Sequence, residues 1–147
     1  MNAVNILLIE DNPADMDLAR ETFEDSQHDV GLHLATDGID ALDALNQRGL
    51  HADVPRPDLI LLDLNLPRLN GREVLRRIKE DGELREIPVI VLSSSDAESD
   101  IHASYALGAN CFVIKPMDYG AFRKIMRSLE DFWFHAACLP GVAGAAK

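Results

Sequence analysis

Five apolar runs of strand length, each followed by a stretch of helical periodicity, recur along the chain. This alternation limits its fold more than any other feature. The first run is Val4–Ile9, and the helix after it sets Ala14, Leu18, Ala19, Thr22 and Phe23 on one face. Asn12 suits the cap of that helix and Pro13 its first position, where no intrahelical N–H is needed. Val30–Ala35 reads as a second strand, and Asp37-Gly38 opens a helix with Ile39, Ala41, Leu42 and Leu45 inward. Residues 48–58 hold Gly49, Pro55 and Pro57 and read as a loop. Then come a third strand (59–62), a turn (67–71), a third helix (73–79), a fourth strand (87–92) and a fourth helix (96–107). Gly108 closes that helix as a left-handed cap. The fifth strand is Cys111–Ile114, and a fifth helix runs from 118 to about 136.

Strands alternating with helices, several of them apolar on both faces, predict an α/β fold with a doubly wound five-stranded parallel sheet of the flavodoxin-like kind. At 147 residues the chain fits one compact domain, and no output domain is expected beside it. Its net charge of −11 argues against nucleic acid as a direct partner. The densest basic stretches, Arg72 to Arg77 and Arg123 to Arg127, sit at helical spacing among apolar residues and read as solvated helix faces. No apolar run is long enough to span a membrane, and no basic stretch precedes an apolar one at the N-terminus, so neither a membrane segment nor a secretory signal is expected. Two cysteines, Cys111 and Cys138, make no disulfide framework and fit a reducing cytoplasm. The histidines show no paired metal-ligand spacing.

In a doubly wound fold the working site lies at the carboxyl ends of the strands. Glu10 and Asp11 follow the first strand, Asp63 the third, Ser93 the fourth and Lys115 the fifth. Singly, each reads as a turn, cap or surface residue; together they put three carboxylates, a hydroxyl and an ammonium on one rim. Crowded carboxylates repel, and a hard divalent ion such as Mg²⁺ relieves that repulsion through oxygen ligands. A carboxylate is also a competent nucleophile toward phosphorus. Asp63, at the centre of the sheet, is the candidate acceptor, with Mg²⁺, Lys115 and the Ser93 hydroxyl neutralising the phosphoryl oxygens.

An acidic pair after strand one, Asp after strand three, Ser/Thr after strand four and Lys-Pro after strand five resembles the receiver domain of two-component response regulators. The stretches that carry the likeness are Ile6-Leu7-Leu8-Ile9-Glu10-Asp11-Asn12, Asp58 to Pro67, Pro88 to Ser93 and Gly108 to Pro116. The resemblance covers roughly residues 4–130. It implies that Asp63 is the phosphoacceptor and that Asp11, Asp63 and the backbone carbonyl of Asn65 hold Mg²⁺, with Glu10 acting partly through water. It further implies that Lys115 pairs with the phosphoryl group. Ser93 and Phe112 would then be the switch pair, coupling the site to the surface of helix four, strand five and helix five. A cis Lys115–Pro116 bond is part of the same expectation. Ser93 stands where Thr is commoner and Phe112 where Tyr is commoner.

The receiver domain is expected over residues 1–130, with 131–147 as an extension of helix five and a frayed end. Phe132, Trp133 and Phe134 have no evident core to enter, and exposed aromatics mark interfaces. With the Glu-Asp-Asn-Pro-Ala-Asp start, this tail resembles the single-domain regulators that serve bacterial phytochromes, which implies a homodimer through the tail and a sensor histidine kinase, a bacteriophytochrome, as phosphodonor. Such a protein is a switch that catalyses only its own phosphorylation and slow dephosphorylation, not a metabolic enzyme. Two other readings stand beside it. An aspartyl-nucleophile phosphohydrolase resembling the haloacid dehalogenases needs an Asp two positions after the nucleophile, where this chain has Asn65. A degenerate receiver used only for binding would lack the acceptor or the lysine.

Overall fold

The computed structural model describes residues 3–140, so the expected fraying of 141–147 lies outside the described residues. In chain order the elements are β1 Val4–Ile9, α1 Pro13–Glu24, β2 Val30–Ala35, α2 Gly38–Leu45, β3 Leu59–Asp63, α3 Gly71–Glu80, β4 Val89–Ser93, α4 Glu98–Ala106, β5 Cys111–Ile114 and α5 Tyr119–Glu130. A short 3₁₀ turn, Gly49–His51, interrupts the predicted loop, and a π-helical turn, Asp131–Ala136, continues α5. All pairings are parallel, in the order β2-β1-β3-β4-β5. This is the predicted doubly wound, flavodoxin-like sheet.

β3 and β4 are buried at every position. Their side chains feed two cores. On one face Leu7, Ile9, Ile60, Leu62, Val89 and Val91 pack against α2 and α3. On the other, Ile6, Leu8, Leu59, Leu61, Ile90 and Leu92 meet Leu18 and Phe23 of α1 and Phe122 and Met126 of α5. Among the described residues no helix is long and apolar enough to cross a membrane. Cys111 and Cys138 are free thiols.

Local chemistry sets most helix ends. The Asn12 side chain accepts from the N–H groups of Ala14 and Asp15, and Asp37, Asn70 and Asp118 cap α2, α3 and α5 in the same way. Gly108, at φ +108°, ends α4 as expected. α4 itself starts later than predicted. Ser95 Oγ takes the Ala97 N–H at 3.2 Å and donates to Asp100 at 2.5 Å, which holds residues 95–97 outside the helix.

Several inward assignments need correction. Ala14 is exposed: the fully buried face of α1 begins at Leu18, with Met16 half-buried before it. Ile39 is 38% exposed, since Gly38 occupies the inward position. The carbonyl of Leu69 lies directly over Gly38 with no room for a Cβ, so the next residue is turned outward.

The tail departs most from expectation. Residues 118–136 are not one α-helix: the Ala137 N–H reaches the Phe132 carbonyl five residues back at 2.7 Å. This widened turn rolls Trp133 and Phe134 onto the α1–α5 core. The Phe134 ring lies 6.3 Å from that of Phe23 and meets His28 edge-on at 5.5 Å. Leu139 is buried behind them. The expectation that all three aromatics lack a core is therefore wrong for Trp133 and Phe134. Phe132 remains 54% exposed, and Ala136 is exposed as well.

Gly71 marks a tight point under the rim. A Cβ there would overlap the Asp63 carbonyl and come within 2.5 Å of Leu64 Cα. Gly71→Ala is therefore expected to destabilise the fold by about 1–3 kcal/mol through forced backbone movement. Urea unfolding checks this, and an unchanged midpoint would show that the turn has slack.

Candidate functional site

The strand order reverses between β1 and β3, and the acidic residues stand at that point. Asp63 ends β3 in register beside Leu92 of β4, while Glu10 and Asp11 leave β1 immediately next to it. One carboxylate oxygen from each of Glu10, Asp11 and Asp63 lies within 4.8 Å of the others. Glu10 is 2% exposed and Asp63 7%, whereas Asp11 is exposed at the mouth.

Glu10 is the most tightly held of the three. Its Oε2 accepts the N–H groups of Asp11 and Asn12 at 3.0 and 3.2 Å, and its Oε1 accepts from Lys115 Nζ at 2.6 Å. Asp63 Oδ1 accepts the Asn65 N–H at 3.0 Å, and Oδ2 accepts from Lys115 at 3.3 Å. Lys115 arrives from the other end of the sequence, 105 residues from Glu10. It is positioned by its own backbone: the Lys115 N–H donates to the Ser93 carbonyl at 2.7 Å, extending the β4–β5 ladder past its last pair. No cis peptide bond occurs among the described residues, so the expected cis Lys115–Pro116 bond is corrected to trans. The long lysine side chain spans the gap without it.

Sequence reasoning missed Asp15. Its Oδ2 accepts from Lys115 Nζ at 2.9 Å, so the ammonium serves three carboxylates. The signal was obscured because an acidic residue three positions after an N-cap ordinarily reads as a capping partner. Here Asn12 caps the Asp15 N–H, and the side chain turns to the rim.

The other expected residues divide. Ser93 is 1% exposed; its Oγ accepts the Ser95 N–H at 3.2 Å, and it lines a cavity of about 260 Å³ with Leu64, Asn65, Asn70, Arg72, Ser95 and Asp100. Phe112 lies away from the rim, half-buried against the α2–α3 core, with its N–H donating to the Tyr105 hydroxyl at 3.1 Å. Phe132, Trp133 and Phe134 belong to the tail and take no part in the site.

Burial and the adjacent Asp63 carboxylate push the Glu10 pKa up to about 7, against the opposing pull of Lys115. Burial alone would lower the Lys115 pKa, but its hydrogen bonds to Glu10 and Asp15 and the nearby charges hold it above the ordinary lysine value. The donor set fits a hard divalent cation: three carboxylates converge, all ligands are oxygen, and one shared ammonium leaves the cluster short of positive charge. A carboxyl whose folded-state pKa exceeds its ordinary value of 4.5 adds stability at low pH that is lost as pH rises through about 7. A cation that binds the ionised triad offsets that loss. Mn²⁺ is therefore expected to raise the melting temperature more at pH 8 than at pH 6, and equal increments in a thermal melt would contradict this.

Fold and rim together are those of a phosphoacceptor signalling protein: an acidic triad and a lysine gathered at the switch point of a parallel sheet. The chain belongs to the response regulator receiver domain family, whose model matches residues 6–127. It is 44% identical over 135 residues to response regulator Rcp1 of Synechocystis sp., covering 92% of each chain. The structure of the phosphorylated cyanobacterial phytochrome response regulator RcpA superposes with a TM-score of 0.92 at 44% identity, covering 95% of this chain and all of that one. The Mn²⁺-bound form of Rcp1 gives 0.89 at 43% identity over 93% of this chain and 99% of its own.

Proposed function

We propose that this chain is a response regulator of phytochrome signalling, phosphorylated on Asp63 by a sensor histidine kinase of the bacteriophytochrome type. The observation that carries the reading is the meeting of Asp63 with Lys115 at 3.3 Å inside the Glu10–Asp11–Asp63 cluster. The likeness to RcpA and Rcp1 over nearly the whole of each chain supports the phytochrome link.

In this reading an Asp63 carboxylate oxygen attacks the phosphorus of a phosphohistidine. An oxygen–phosphorus bond forms, the phosphorus–nitrogen bond breaks, and the imidazole departs with the bonding pair. Asp11, Asp63 and the Asn65 carbonyl would hold Mg²⁺, with Glu10 acting partly through water, and the ion would supply charge neutralisation at the phosphoryl oxygens. Lys115 takes a phosphoryl oxygen, and the Ser93 hydroxyl, whose oxygen accepts the Ser95 N–H, donates its proton to another. Phe112 then follows Ser93 and changes the α4–β5–α5 surface. The receiver comprises residues 1–130. The tail, 131–147, with Phe132 exposed on it, forms a homodimer contact, and the protein works in the cytoplasm. No direct contact with nucleic acid or membrane is part of this function.

Incubation with acetyl phosphate and Mg²⁺ tests the reading. The expected product is one hydroxylamine-labile acyl phosphate per chain, seen by intact mass. Continuous turnover of phosphate esters with no such adduct would favour a hydrolase instead.

A further inference from the structure

Lys115 has three N–H protons and three carboxylate partners in this structure: Glu10 at 2.6 Å, Asp15 at 2.9 Å and Asp63 at 3.3 Å. Every donor is therefore taken. To grip a phosphoryl oxygen on Asp63, the ammonium must release one of these bonds. Glu10 and Asp63 belong to the triad, and the second oxygen of Glu10 is fixed by two backbone N–H groups. Asp15 stands outside the triad, on the first turn of α1, with its backbone anchored by Asn12 at 3.2 Å. It is also the most exposed of the three partners. Its carboxylate touches the same nitrogen as Asp63, so its charge sits close to any anion that forms there. Both effects have one sign: competition for the ammonium and repulsion of a phosphoryl dianion each weaken the phosphorylated state.

We infer that Asp15 is a positioning residue that competes with a phosphoryl group on Asp63 for the Lys115 ammonium and so shortens the life of the phosphorylated state. This rests on the reading of Asp63 as the phosphoacceptor. Its consequence is regulatory: the switch carries a built-in counterweight, placed on the first turn of α1 rather than among the metal ligands.

The test uses the full chain as wild type, Asp15→Asn and Asp15→Glu. Beryllofluoride with Mg²⁺ is titrated by ¹⁹F NMR, and Mn²⁺ alone is titrated separately. Asp15→Asn is expected to bind beryllofluoride about five- to tenfold more tightly, the effect of one nearby charge at partly screened distance. Its acyl phosphate should last longer by a similar factor. Mn²⁺ affinity should stay within about twofold, because a partly exposed charge outside the ligand set contributes little. Asp15→Glu should return beryllofluoride binding toward wild type, which a purely structural role would not predict. Equal or weaker beryllofluoride binding by Asp15→Asn overturns the inference, as does a Mn²⁺ shift as large as the beryllofluoride shift. A wild type that binds no beryllofluoride overturns the acceptor reading itself, and this inference with it.

Discussion

Asp63→Asn is expected to take up no phosphoryl group from acetyl phosphate, where the wild type takes up one per chain. The amide is not a nucleophile toward phosphorus, and in the proposed reading Asp11 is committed to the metal. Glu10 is buried and engaged at both oxygens, and Asp15 is held by Lys115 on the α1 side of the rim. The loss should be chemical rather than structural. Removing one charge from a cluster of carboxylates relieves repulsion. Against that, the amide cannot accept from both the Asn65 N–H and the Lys115 ammonium, so one donor meets another. These effects oppose each other, and the unfolding free energy should move by no more than about 1 kcal/mol. Mn²⁺ affinity should fall on the order of tenfold with the loss of a charged ligand. Intact mass after acetyl phosphate treatment decides the outcome, and an adduct retained in the variant would place the acceptor elsewhere.

Lys115→Ala should give the largest stability loss of any rim substitution. It strips the ammonium from three carboxylates at once, two of them almost fully buried. Removing one partner of a buried ion pair costs about 3–5 kcal/mol, because the remaining charge stays desolvated. Protonation of Glu10, whose pKa already lies near 7, limits the loss and places the expectation at about 3 kcal/mol, or roughly 10 °C in melting temperature at pH 8. A divalent cation substitutes for part of the missing charge, so Mn²⁺ should stabilise the variant more than the wild type. Thermal melts with and without Mn²⁺ measure both effects. A variant that melts with the wild type in the absence of metal would mean that the carboxylates are hydrated and that the ammonium matters little to folding.

Much of this molecule is local in origin. Strands apolar on both faces can be satisfied only between two helix layers, so the runs at β1, β3 and β4 imply a parallel sheet before any coordinates exist. Asn12, Asp37 and Gly108 end or begin helices by hydrogen bonds and backbone angles that involve only near neighbours. Because parallel strands present their carboxyl ends on one side, the rim of Glu10, Asp11, Asp63, Ser93 and Lys115 could be assembled by inspection.

What the sequence could not decide depended on which surfaces were already occupied. Ile39 faces outward because the backbone of Leu69 claims the space at Gly38. Trp133 and Phe134 find a core because the π-helical turn after α5 redirects them onto the α1–α5 side, Phe134 against Phe23 and His28, a geometry set by the packing of α1 against α5. Asp15 joins the site only because Lys115, a hundred residues away in sequence, reaches across to it. Periodicity and capping act over a few residues and are readable in order along the chain; the sharing of one ammonium among three carboxylates is a property of distance in space, and only the folded chain sets those distances.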